Sequence, residues 1–320
     1  MSNKIFSLTS AIMFGGSVAF ADVPKVVADI APVHSLVARV MNGVGNPNLI
    51  IPAAASPHDY QMRPSEARSI QDADIIFWMG EDLTPWLSKA LSSLAEGTPV
   101  STLLEVDGID LLDFREGALF EAHDDHDDHD DHDDHDKKED DHEDHDGHEG
   151  HGHGEYDPHI WLDPINAKVI LKEMTEHLIE NDSKNASTYK SNLDKALNDI
   201  DKLTMDVMTE LNESTSSIVF HDAYQYFEER FNVKILGAFT VNTDVMPGAE
   251  QLSEIREIIE HDKVTCVFSE PQFNPDIIKA VAKDMNIKTG VVDPLGATLD
   301  PGKDLYFKLI RNMSASFKGC

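Results

Sequence analysis

The segment KVVADIAPVHSLVARVMN, residues 25–42, indicates the fold class of this chain. Its first six residues form a short apolar run, which predicts a buried β-strand over Lys25–Ile30. Pro32 then stands where the first turn of a helix accepts proline, and apolar residues recur at helical spacing, which predicts a helix over Pro32–Asn42. A strand followed at once by an amphipathic helix is the repeating unit of a parallel α/β sheet.

The same alternation runs through most of the chain. We predict further strands at Asn48–Ile51, Ile75–Met79, Ser217–Phe220, Val233–Leu236, Val264–Phe268 and Thr289–Val292. Helices are expected at Pro64–Asp72, from Thr84-Pro85 onwards, and at Ala223–Phe231, Glu250–His261 and Pro275–Met285. The strands fall into two sets, and each set has helices to cover it, so the pattern predicts two α/β lobes with mainly parallel sheets.

The stretch between the two sets predicts one long helix. From Lys184 to about Leu211 the sequence contains no proline or glycine, and its apolar residues recur near helical spacing. We therefore expect a long rigid helix that joins an N-terminal lobe (22–183) through a linker (184–213) to a C-terminal lobe (214–320).

The N-terminus has the features of a cleavable export signal. Lys4 provides the positive charge, Ile5–Phe20 is a short and largely apolar stretch, and Ala19-Phe20-Ala21 is a small-x-small cleavage site. We predict a signal peptide over 1–21 and no lipid anchor, because no cysteine lies near that site. The alternative, a genuine N-terminal helix, is too short to span a membrane.

Export bears on the two cysteines, Cys266 and Cys320. An even number of cysteines in an oxidising compartment favours a disulfide, and two free thiols are the alternative. We expect the disulfide.

The charge of the chain is concentrated in one segment. The formal net charge is −33, which argues against nucleic acid or an anionic membrane as partner. Residues 123–153 carry 16 acidic residues, two lysines and ten of the 16 histidines, and no large apolar residue. Such a composition predicts a loop that is disordered without ligand. Its imidazoles suit weak, exchangeable metal binding, through His123, His126, His129, His132, His135, His142, His145, His148, His151 and His153. A solvated loop without a role, or a sensor or docking segment, are the alternatives.

Five polar residues follow predicted strands or lie in loops between the lobes. They are His58, His159, His221, Glu270 and Asp293. Open α/β sheets bind ligands beyond the carboxyl ends of their strands, so these side chains are candidates for one shared site. Three imidazoles with a carboxylate suit Zn²⁺ or Cu²⁺ better than Mg²⁺, Ca²⁺ or Mn²⁺, which favour oxygen.

Six motifs make the chain similar to a known family. They are Ser56-Pro57-His58-Asp59-Tyr60, Leu83–Trp86 after Trp78-Met79-Gly80, His159–Pro164, Phe220–Tyr224, Phe268–Gln272 and Val292–Gly296. Together with the acidic, histidine-rich insertion, this set resembles the cluster-9 solute-binding proteins of metal ABC transporters, and within them the zinc-specific ZnuA type. The resemblance covers essentially the whole mature chain.

The resemblance implies a periplasmic protein, expected to be monomeric, that holds Zn²⁺ between two lobes with little domain closure and delivers it to a membrane permease. The implied ligands are His58, His159 and His221, with Asp293 or water as the fourth. Manganese members carry a carboxylate in place of His221. Some zinc members have a glutamate before the first histidine, where this chain has Pro57. A disulfide near the C-terminus in some members matches Cys266 and Cys320.

Other functions have less support in the sequence. A zinc hydrolase would need a general base, and Glu270 is the candidate, but no His-Glu-x-x-His motif is present. We therefore predict that the chain is not an enzyme. A metal buffer or adhesin without a transporter, or a Mn²⁺-binding homologue, remain alternatives. His34, His177 and His261 match no ligand motif and are expected to be surface or capping residues.

Overall fold

The computed structural model describes residues 23–115, 117, 119–120, 154–211, 216–241, 243 and 246–320. The predicted export signal and the ten histidines of the 123–153 tract lie outside these residues. No helix in the described part of the chain is long and apolar enough to cross a bilayer.

The first sheet has four parallel strands in the order β2-β1-β3-β4. These are β1 (Val26–Ala28), β2 (Asn48–Leu49), β3 (Ile75–Trp78) and β4 (Val100–Thr102). The helices of this half are α1 (Ala31–Val40), α2 (Pro64–Gln71), α3 (Pro85–Leu94) and α4 (Pro164–Asn181), and each begins with a proline in its first turn.

The second sheet repeats that arrangement in the order β6-β5-β7-β8, again all parallel. Its strands are β5 (Ser216–His221), β6 (Lys234–Thr240), β7 (Cys266–Ser269) and β8 (Lys288–Val291). The accompanying helices are α6 (Gln225–Phe231), α7 (Ala249–His261), α8 (Asp276–Met285) and α9 (Leu305–Lys318). In both sheets the strand order reverses next to the first strand, which is where α/β sheets open a crevice for ligands.

The long helix between the sheets, α5, spans Ala186–Glu210 after a short 3-10 turn at Ser183–Asn185. It packs against α1, α4 and α9, so helices from both ends of the chain contact it. The largest buried apolar cluster also runs from Val26 in the first sheet to Phe268 and Phe317 in the second half. The two lobes therefore share a core, which is the physical basis for a stiff connection.

The predicted fold class is confirmed: two parallel-sheet lobes are joined by one long helix. The lobe boundaries at 183 and 213 stay predictions. They assign α9 to the C-terminal lobe, but α9 packs against α1 of the N-terminal lobe and against α5. β4, α4 and α9 were not predicted from the sequence. The disulfide between Cys266 and Cys320 is present, with 5.7 Å between the Cα atoms, and it attaches the end of α9 to β7.

Candidate metal centre

The three predicted histidine ligands converge next to the carboxyl ends of β2 and β5. His221 is the last residue of β5, His58 lies in the loop after β2, and His159 immediately precedes a 3-10 turn at Ile160–Leu162. One ring nitrogen from each histidine lies within 4.8 Å of the other two. Across the described ranges, this is the single group of three or more His, Cys, Asp or Glu residues that could hold a metal ion.

A carboxylate fixes the ring of His159. The Nδ1 atom of His159 lies 2.7 Å from Asp157 Oδ1, and the backbone N–H of His159 donates to the same oxygen at 2.9 Å. An ionised carboxylate only accepts hydrogen bonds, so Nδ1 carries the hydrogen and Nε2 is left with a free lone pair. Asp157 was not among the predicted site residues, although its position two residues before a predicted ligand was a usable signal.

Glu270 holds His221 in the same way. His221 Nδ1 lies 2.8 Å from Glu270 Oε1, and both side chains are buried. Glu270 directly follows β7, the neighbour of β5, so the parallel pairing of the two strands brings the carboxylate to the ring. Carboxylates that accept from the second nitrogen of a histidine orient zinc ligands and make them more basic.

The free nitrogens of these two rings face each other. His159 Nε2 and His221 Nε2 are 3.4 Å apart, and both are buried. Because each Nδ1 already carries a hydrogen, two lone pairs oppose each other unless a proton or a metal ion lies between them. Two nitrogens bound tetrahedrally to zinc at 2.0–2.1 Å would be about 3.3–3.4 Å apart. The observed spacing fits that geometry.

The third histidine, His58, belongs to the same lobe as His159 and completes the site opposite His221 of the C-terminal lobe. The ring centre of His58 is 5.7 Å from that of His159 and 5.8 Å from that of His221. The cavity between the three rings measures about 10 Å³, enough for one water-sized body. Its walls include Trp161 and Phe273. The space between the rings is of the size that a single ion needs.

Charge around the site acts on His221. Burial lowers the pKa of His221, but the charge and hydrogen bond of Glu270, helped by Asp222 and Asp157, outweigh burial and raise that pKa above its ordinary value. For a carboxyl group burial acts in the other direction: it raises the pKa of Asp222 to about 7, although the charge of Arg115 opposes this. The acidic surroundings that hold a proton on His221 would equally attract a divalent cation.

Asp293 occupies a different position from the three histidines. Its Oδ1 atom accepts hydrogen bonds from Gln272 Nε2 and from the backbone N–H groups of Leu295 and Gly296, at 2.9–3.1 Å. Its Oδ2 atom accepts from the backbone N–H of Ala297 at 2.6 Å. Both oxygens therefore stabilise the turn after β8, and the carboxylate is not part of the three-histidine group.

The remaining histidines of the described chain lie elsewhere. His177 pairs with Glu173 on α4 at 2.9 Å, and His261 is exposed in the last turn of α7. His34 is not a surface residue, contrary to expectation. It is buried in α1, where Nε2 contacts the carbonyl oxygen of Pro47 at 3.1 Å and burial lowers the pKa of the ring.

The sequence match decides the family. The model of the ZnuA family, described as zinc-uptake complex component A periplasmic, matches residues 26–320. The chain belongs to the ZnuA family. It is 46% identical over 323 residues to a protein named high-affinity zinc uptake system protein ZnuA from Brucella abortus (strain 2308), covering 98% of this chain and 97% of that protein. A protein of the same name from Paracoccus denitrificans (strain Pd 1222) is 40% identical over 316 residues, with 98% and 96% covered.

Solved structures support the fold. The crystal structure of a zinc-bound ZnuA with residues 138–173 deleted superposes with a TM-score of 0.73, at 19% identity, covering 93% of this chain and 97% of the other. The family resemblance inferred from the motifs is confirmed by the family match and by the sequence relatives. Members of this family are periplasmic solute-binding proteins and not enzymes, and zinc as the bound ion agrees with both the family and the three-histidine cluster.

Proposed function

We propose that this protein captures Zn²⁺ between its two lobes and delivers it to the permease of a zinc ABC transporter. The observation that carries the proposal is the pair of opposed Nε2 atoms 3.4 Å apart, each on a ring whose Nδ1 donates to a buried carboxylate. A cation bound between the rings would accept both lone pairs at once, at the nitrogen–nitrogen spacing that tetrahedral zinc requires.

The ligands in this proposal are His58, His159 and His221. The fourth position falls to Asp293 or to water. Because both oxygens of Asp293 already accept hydrogen bonds from the turn after β8, binding through Asp293 would require those bonds to break. The geometry favours water as the fourth ligand. Three neutral imidazoles favour zinc over manganese.

The histidine-rich tract serves in this account as a weak collector of zinc near the site. Residues on either side of it lie close together, because Asp113 pairs with Tyr156 as an antiparallel bridge. Leu119, which precedes the tract, pairs with Gly237 of β6 in a second bridge. His153 precedes His159 by six residues, so even a fully extended chain would keep that end of the tract within about 20 Å of the site.

We also propose that residues 1–21 direct export to the periplasm and are removed, and that the mature protein acts as a monomer without a membrane anchor. The periplasmic description of the family supports this location.

A growth assay separates the transporter role from a buffer or adhesin role. Cells that lack the gene should grow poorly when zinc is chelated, added zinc should restore growth, and a plasmid copy should also restore it. A His221→Ala copy, exported to the same level, should fail to do so. Full rescue by that variant would show that zinc capture at this site does not serve uptake.

A further inference from the structure

The loop that carries His58 is held from two sides. It connects β2 to α2 and has no regular structure of its own. Trp86 of α3, in the same lobe, donates its indole N–H to the carbonyl oxygen of Pro57 at 2.8 Å. Gln272, in the other lobe, donates its amide to the carbonyl oxygen of Ala53 at 3.0 Å. The position of His58 therefore depends on a polar contact that crosses between the lobes.

The Gln272 amide has a defined orientation. Its Nε2 atom also donates to Asp293 Oδ1 at 3.0 Å, and neither a carbonyl nor a carboxylate oxygen can donate in return. Asp293 is itself held by the backbone N–H groups of the turn after β8. Gln272 thus joins a fixed turn in the C-terminal lobe to the loop of His58 in the N-terminal lobe.

The segment Glu270–Gln272 also contacts His221, the ligand in the C-terminal lobe. Gln272 follows Glu270 by two residues, and Glu270 orients His221. We infer that Gln272 is a positioning residue for the metal site, which ties the His58 loop to the segment that orients His221 and so sets how slowly zinc is released. This inference rests on the proposed function, since it assumes that His58 binds the ion.

The direction of the effect follows from the ligand geometry. His159 and His221 are buried, and His58 is half-buried on an irregular loop whose own backbone carbonyl groups are held by Trp86 and Gln272. When the amide is removed, the loop gains freedom and His58 dissociates from the ion more often. Partners hydrogen-bonded directly to a metal ligand are typically worth 10–100-fold in affinity, and because Gln272 acts through the backbone of the His58 loop, we expect an effect near the lower end of that range.

Gln251 offers a matched control. It donates its Nε2 to the carbonyl oxygen of Phe239 at 2.9 Å, and it is half-buried like Gln272. That contact lies within the C-terminal lobe, between α7 and β6. Gln251→Leu therefore removes the same kind of hydrogen bond without touching the His58 loop.

The experiment measures zinc affinity by chelator competition and the zinc release rate by stopped flow, on the full chain. Gln272→Leu should weaken binding about 10-fold or more and speed release, while Gln251→Leu should leave both within about twofold of the wild type. Equal effects of the two substitutions would overturn the inference. Tighter binding by Gln272→Leu would also overturn it, since that would mean that a freed Asp293 joins the site.

A double-mutant cycle tests whether the effect passes through His58. In a His58→Ala background, Gln272→Leu should cost less than about twofold, because the ligand it positions is gone. An undiminished cost would contradict the inference. The melting temperature of each metal-free protein is measured alongside its titration, to show that the variant is folded. If Gln272→Leu does not fold, Gln272→Asn replaces it, because asparagine is too short to keep both contacts. If His58→Ala alone leaves affinity unchanged, the proposed ligand set fails instead.

Discussion

Replacing Glu270 by Gln tests how the protein makes a strong zinc ligand of His221. Glutamine has nearly the shape of glutamate, and its amide oxygen can still accept the hydrogen on Nδ1, now 2.8 Å from Glu270 Oε1. The ring orientation and the tautomer should survive. What the variant loses is the negative charge that makes the opposite nitrogen, Nε2, more basic towards a cation.

The expected loss is about 10-fold in zinc affinity at pH 7.5. Outer carboxylate partners of zinc ligands are worth 10–100-fold, and the lower end applies because the hydrogen bond is kept. Tenfold corresponds to about 1.4 kcal/mol. Glu270→Ala, which removes the bond as well, should lie towards the upper end of the range.

The deficit should shrink as the pH falls. Although burial lowers the pKa of His221, Glu270 raises it, and the net pKa is above the ordinary value. In the wild type, a proton therefore competes with zinc at a higher pH than it does in Glu270→Gln. Between pH 7.5 and 5.5 the wild type should lose more affinity than the variant, so the two curves converge.

Chelator competition across that pH range measures the effect. Glu173→Gln is the control, because Glu173 pairs with His177 at 2.9 Å on α4, away from the metal site. Unchanged affinity in Glu270→Gln, or a loss matched by Glu173→Gln, would refute the orienting role. A deficit that widens at low pH would refute the charge argument.

Three other predictions follow from the same site. His221→Ala should weaken zinc binding by at least about 10-fold, measured by titration of a protein that lacks the tract. Deletion of 123–153 should abolish the weak sites and retain one tight site, as counted by calorimetry; loss of the tight site would mean that the tract is structural. Zinc affinity should fall by more than one power of ten per pH unit between about pH 6 and 5, because the imidazoles must be deprotonated to coordinate. A flat profile would point to carboxylate ligands.

Much of the fold could be predicted because local sequence carries it. The alternation of strands and helices predicted every described strand except β4, and the unbroken run after Lys184 predicted α5. The C-terminal helix α9 has apolar residues at helical spacing, but its packing against α1 and α5 depends on contacts more than 90 residues away along the chain. The sharing of a core between the lobes is a tertiary property of this kind.

The metal site also combines residues that the sequence predicts with contacts that only the tertiary structure determines. His58, His159 and His221 could be identified because all three lie in motifs of the family, and because His58 and His221 also follow predicted strands. Their orientation could not be predicted: His221 and Glu270 are 49 residues apart, and only the pairing of β5 with β7 joins them. Asp293 was predicted from its position after a strand and from the family resemblance, and its carboxylate accepts hydrogen bonds from the turn that follows it.

The most direct test of the account is a crystal structure of the zinc-loaded protein with anomalous data collected on both sides of the zinc edge. We expect one strongly occupied zinc ion between the lobes, about 2.0–2.1 Å from Nε2 of His159, Nε2 of His221 and a ring nitrogen of His58. An ion held mainly by carboxylate oxygens, or a site whose anomalous signal belongs to manganese, would contradict it.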